Sequence, residues 1–85
     1  MTWQILWTDE AVRDLSRLDR QVALRIVKKV EGLATDPHRF FRRLKGSDDY
    51  RLRIGDYRVL ALLDAQGGRL IVETVKHRSV VYRDR

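Results

Sequence analysis

The sequence predicts an α+β fold: a two-helix hairpin packed on one face of a mainly antiparallel four-stranded sheet, in the order β-α-α-β-β-β, with a short C-terminal tail. Three observations predict it. Residues 8–33 carry two apolar stripes at helical spacing, Tyr50 to Ile54 alternates strictly, and Gly55-Asp56 joins that run to a second apolar stretch. Neither helix can bury its stripe alone, so both must lie on the sheet. With 85 residues and no linker, repeat or low-complexity stretch, residues 1–85 are expected to form one domain.

In Met1 to Trp7, Trp3, Ile5 and Trp7 alternate with smaller or polar neighbours, which predicts a strand. Thr8 can cap a helix, with Asp9 and Glu10 in the first turn, where the dipole favours negative charge. Trp7 and Val12 occupy hydrophobic-staple positions, and Val12, Leu15 and Leu18 mark the expected buried stripe. Asp19 can cap a second helix with the stripe Val22, Ile26, Val30 and Leu33, flanked by Leu24 and Val27. Gly32 and Asp36-Pro37 end it. Phe40, Phe41 and Leu44 are apolar anchors of a connecting segment, and Gly46 to Asp49 is a turn. Tyr50 to Ile54, Tyr57 to Leu63 and Arg69 to Lys76 are strands, the last two joined by a turn over Asp64 to Gly68. His77 to Arg85 is the tail.

The absence of cysteine excludes a disulfide framework and a thiolate metal site. No apolar run has the length of a membrane span, and Met1 to Trp7 lacks the basic start and long apolar stretch of a signal peptide, so a cytoplasmic location is expected. The net charge of +6 suits a polyanionic partner. It is unevenly spread: residues 1–41 hold seven Lys/Arg and six Asp/Glu, residues 42–85 eleven and six. The second half is therefore the expected functional half.

A two-residue turn at Gly55-Asp56 fixes the hairpin register. Arg53 then faces Arg58, and Arg51 lies two residues along on the same face. Like charges opposite each other on a sheet cost stability, and a bound anion offsets that cost. Guanidinium groups hold phosphate oxygens in a fork and stay charged at any cellular pH. The alternative is that Arg53 and Arg58 splay into water, toward Asp56. In the tail, Tyr82 beside Arg78 either stacks on a base or closes the edge of the core.

These residues carry a resemblance. Leu44-Lys45-Gly46, the run Tyr50-Arg51-Leu52-Arg53-Ile54-Gly55-Asp56-Tyr57-Arg58-Val59, His77-Arg78 and Val81-Tyr82 resemble the signature of the RelE/ParE toxin superfamily, and the two-helix first half matches its layout. The resemblance implies the toxin of a type II toxin–antitoxin system: a ribosome-dependent, metal-free endoribonuclease without a cofactor, in which the ribose 2′-hydroxyl attacks the adjacent phosphate of a messenger RNA. Position by position, it implies activation and charge stabilisation for Arg51 and Arg53, contact with the scissile phosphate for Arg58, and a general-acid role for Lys76. It also implies nucleotide stacking for Tyr82, and auxiliary RNA contacts for Arg43, Lys45 and Arg78. The expected partners are a cognate antitoxin with an acidic or amphipathic segment, the ribosome and messenger RNA, with no membrane.

Other residues have blander readings beside a functional one. His77 is an acid or base at neutral pH or a plain edge histidine, and His38 is an inert loop residue. Asp48-Asp49 is a weak metal site or a solvated turn, and no ligand spacing supports structural zinc. Arg25, Lys28 and Lys29 form a solvated helix face or a contact with ribosomal RNA. Two further functions compete: a ParE-like inhibitor of DNA gyrase that cuts no RNA, and a non-enzymatic basic RNA-binding module.

Overall fold

In the computed structural model, which describes residues 2–80, strand β1 (Gln4–Trp7) runs into helix α1 (Asp9–Ser16). Thr8 makes the junction. Its Oγ1 accepts from Ala11 N at 3.1 Å and donates to Glu73 O at 2.8 Å, so one hydroxyl both caps the helix and ties it to the sheet. Helix α2 (Arg20–Gly32) follows, with Asp19 at its N-cap position but without a side-chain capping bond. A one-turn helix α3 (Pro37–Phe40) starts at Pro37, whose missing N–H is no loss in a first turn. Then come β2 (Arg42–Arg43), β3 (Tyr50–Ile54), β4 (Tyr57–Asp64) and β5 (Arg69–His77).

The strands form one sheet in the order β1-β5-β4-β3-β2; β1 pairs with β5 in parallel and the other neighbours are antiparallel. The expected four strands are thus five. Arg42-Arg43 has no apolar alternation to announce a strand, but the turn closed by Leu44 N to Asp49 O at 2.8 Å folds it back onto β3.

The core lies between the helices and one sheet face, where Ile26 and Val30 of α2 meet Val59, Leu70 and Val72, each at most 1% exposed. Burial of side chains of this size stabilises the fold by about 1.5–3 kcal/mol apiece. The stripe of α2 is the expected one; that of α1 holds at Leu15 and Leu18, which pack against the core, but fails at Val12. Val12 is 53% exposed, whereas Ala11 and Asp14 are buried. The reason is the placement of α1, which continues from β1 along the edge of β5. Thr8 N donates to Val72 O at 3.1 Å, and Asp14 Oδ2 accepts from Val75 N at 2.9 Å. The side of α1 that meets this edge carries one small residue, Ala11, and one acceptor, Asp14, and Val12 is turned outward.

An irregularity sets the two faces of β5. Leu60 pairs with Thr74 but Ala61 with Val72, so Glu73 is an extra residue. Val72 and Val75, three apart, therefore both join the core, and Lys76 falls on the other face. On that second face Leu60 and Thr74 are buried, so its open part is the end formed by β2, β3 and β4.

Candidate nucleic-acid interface

The hairpin between β3 and β4 has the register expected from its turn: Ile54 opposite Tyr57, Arg53 opposite Arg58, Leu52 opposite Val59. Gly55 takes φ +57° and Asp56 a negative φ, which suits a turn with glycine first. Leu52 and Ile54 are buried against the helices, and Arg51 and Arg53 are exposed on the opposite face.

β2 adds a fourth cation. Arg42 stands directly opposite Arg51, so it shares the face of Arg51, Arg53 and Arg58. The four arginines line one cleft of about 320 Å³ together with Phe40 and Leu52. Among the described residues none of the four has an ion-pair partner. Arg43, Arg69 and Arg78 do: they meet Asp48 at 3.3 Å, Asp64 at 2.7 Å and Asp56 at 3.6 Å. The cleft therefore concentrates positive charge that no described carboxylate pairs, with a geometry suited to phosphate oxygens. Asp56, the carboxylate expected to draw Arg53 and Arg58 in the alternative reading, is paired with Arg78 instead, whose backbone N also donates to Asp56 O at 2.7 Å.

Lys76 is placed differently from the arginines. Its backbone pairs with Arg58, but its Nζ lies 2.8 Å from Asp14 Oδ1 and 3.3 Å from Glu10 Oε2. The hydrogen bond that it donates to Asp14, above all, holds the ammonium above the ordinary lysine pKa, with Glu10 adding to it. Arg43 faces the side of Tyr50 and donates to Ser47 O at 3.0 Å, outside the cleft. Lys45 sits exposed in the turn before β3 and Arg78 beside the hairpin turn, and neither lines the cleft. Tyr82 lies outside the described residues. The His77 ring meets Tyr57 edge-on at 5.3 Å, with Nδ1 2.9 Å from Ser79 Oγ; the His38 ring lies edge-on to both Trp3 and Tyr50. Arg25, Lys28 and Lys29 border a shallow depression on α2 with Gln21 and Leu24.

Two lining residues, Arg42 and Phe40, escape the sequence reading. Arg42 belongs to the site only because β2 pairs with β3. Phe40 is 44% exposed rather than an anchor, whereas its neighbour Phe41 is 3% exposed. Nothing in the sequence around Phe40 and Phe41 tells which of the two rings is buried.

The family model for the ParE toxin of type II toxin–antitoxin systems matches residues 5–82. The chain belongs to the RelE/ParE toxin superfamily. This RelE/ParE chain is 33% identical over 84 residues to Toxin RelE of Mycobacterium tuberculosis, a match covering 95% of the chain and 87% of that protein. Its fold superimposes on a chain of the RelBE2 toxin–antitoxin complex from Mycobacterium tuberculosis with a TM-score of 0.87 at 25% identity, covering 94% and 95% of the two chains. A chain of the archaeal RelE–RelB complex from Pyrococcus horikoshii OT3 shares the fold at a TM-score of 0.75 and 24% identity, over 95% and 100% of the chains.

Proposed function

We propose that this toxin is a ribosome-dependent endoribonuclease of the cytoplasm, which arrests translation by cutting messenger RNA in the decoding site, residues 1–85 acting as one unit. The observation that carries the reading is the cleft of Arg42, Arg51, Arg53 and Arg58, four guanidinium groups around one space with no carboxylate partner among the described residues. In the reaction the ribose 2′-oxygen bonds to phosphorus as the P–O5′ bond breaks. The 2′-proton passes to solvent water and the leaving 5′-oxygen takes one from water, which yields a cyclic phosphate and a 5′-hydroxyl. Negative charge grows on the phosphoryl oxygens, and fixed cations stabilise it without rearranging. Arg58 takes the scissile phosphate, Arg51 and Arg53 share the developing charge, and Tyr82 stacks on the nucleotide.

Arginine is a poor proton acceptor, and the Lys76 ammonium is held by Asp14 and Glu10 rather than in the cleft. Acceleration accordingly comes mainly from charge stabilisation and from forcing the 2′-oxygen into line. A cognate antitoxin, like those in the complexes of the related toxins, keeps the cleft covered; the exposed Val12 and Leu24 on the helices offer an amphipathic segment its apolar contacts.

Purified protein added to translating ribosomes tests the reading. Message ends bearing a 5′-hydroxyl should accumulate at the decoding site. Intact message together with gyrase-linked DNA breaks would instead support the ParE-like alternative, which the match of residues 5–82 to the ParE toxin family favours.

A further inference from the structure

The arginine cleft has an aromatic wall. α3 is a single turn fixed from both sides: Pro37 is buried, Phe41 N donates to Pro37 O at 2.9 Å, and the Phe41 ring is sunk in the core. Phe40, held between these anchors, is left 44% exposed and lines the cleft. Arg39 occupies part of its ring surface, with Cζ 5.5 Å from the centroid. Two residues on, Arg42 enters the same cleft opposite Arg51. An apolar ring open to water amid four guanidinium groups that have no ion-pair partner among the described residues fits a ligand that offers both a flat face and a phosphate.

We propose that Phe40 and Arg42 form a second nucleotide subsite, in which Phe40 stacks on a base next to the one at the cut and Arg42 holds the intervening phosphate. The inference rests on the RNA-cleft reading and extends it to residues outside the hairpin motif. Phe40 has no hydrogen-bonding atom, so this subsite senses stacking area rather than base edges. Purines are favoured over pyrimidines there, without a strict sequence requirement.

The test titrates the full chain into short single-stranded oligonucleotides that are 2′-O-methylated, hence uncuttable, with the fluorescent base 2-aminopurine at one position at a time. One position should be quenched on binding to the wild type. Phe40→Ala and Phe40→Leu should both abolish that quench and weaken binding about 10- to 100-fold, while Phe40→Trp retains both. Phe40→Leu keeps the apolar bulk, so its loss of quench reports stacking rather than folding. Arg42→Ala should lower the slope of log affinity against log salt by about 0.7, the value for one phosphate contact on a single strand, and Arg42→Lys should preserve it. Wild-type binding with an unchanged quench and affinity in Phe40→Ala and Phe40→Leu overturns the subsite alone. A wild type that binds no oligonucleotide overturns the subsite, and one that also cuts no message on ribosomes overturns the RNA-cleft reading with it.

Discussion

The Lys76 ammonium, although its strand position is directly beside Arg58, is bonded to the Asp14 carboxylate at 2.8 Å. The other oxygen of Asp14 accepts from Val75 N at 2.9 Å, so a buried carboxylate serves both as counter-ion and as the missing partner of an edge strand. Replacing Asp14 by Ala leaves the Lys76 charge and the Val75 N–H without this partner, and should destabilise the fold by about 3 kcal/mol. Asp14→Asn, which keeps an oxygen for Val75, should cost less. Urea unfolding of both variants checks this; a loss under about 0.5 kcal/mol in Asp14→Ala contradicts the structural role given to the pair.

The same contact has a pH signature. The Lys76 pKa is raised in the folded protein, first by the hydrogen bond its ammonium donates to Asp14. The stability it contributes is therefore complete below the unfolded lysine value of 10.5 and is lost as pH rises through the higher folded value. The stability difference between wild type and Lys76→Met should hold steady from pH 7 to about 9 and shrink above about 10.5. A difference that stays constant into strong alkali would show that the ammonium is not what the carboxylates hold.

Gly55 and Gly32 should respond oppositely to alanine. Gly55 has φ +57°, where a Cβ costs about 1–2 kcal/mol even though nothing lies within 4 Å of it. Gly32 ends α2 at a negative φ with equally open space, so Gly32→Ala should stabilise the fold by about 0.5–1 kcal/mol. Thermal melts of the two variants decide the matter.

Arg58→Ala should separate function from stability. The cut rate on translating ribosomes should fall about 100- to 1000-fold, the usual effect of removing one preorganised donor from developing charge. Stability should stay level or rise by about 0.2–1 kcal/mol, because the like charge facing Arg53 is gone. Cleavage assays paired with unfolding curves test both halves, and unchanged cleavage removes Arg58 from the scissile phosphate.

The hairpin and most of its cation cluster are legible in the sequence because their causes are local. A two-residue turn with glycine first, followed by strict alternation, places Arg51, Arg53 and Arg58 on one face with no help from distant residues. The α2 stripe is legible for the same reason, its period of 3.6 residues being a property of the helix itself. The α1 stripe misleads at Val12, though not at Leu15 and Leu18, because part of α1 faces a strand edge, whose N–H needs an acceptor and whose proximity favours a small side chain. No pattern within residues 9–16 reveals that neighbour.

By itself, then, the sequence determined the α+β class, the hairpin register and the three arginines of its two strands, all set by backbone periodicity and turn chemistry acting over a few residues. Only the tertiary structure decided that Arg42 and Phe40 join them, that an extra residue at Glu73 turns Lys76 to the arginine face, and that Asp14 and Glu10 then take its charge. Those outcomes depend on which segments meet across tens of residues, where the pairing of whole strands and the burial of whole faces outweigh any local preference.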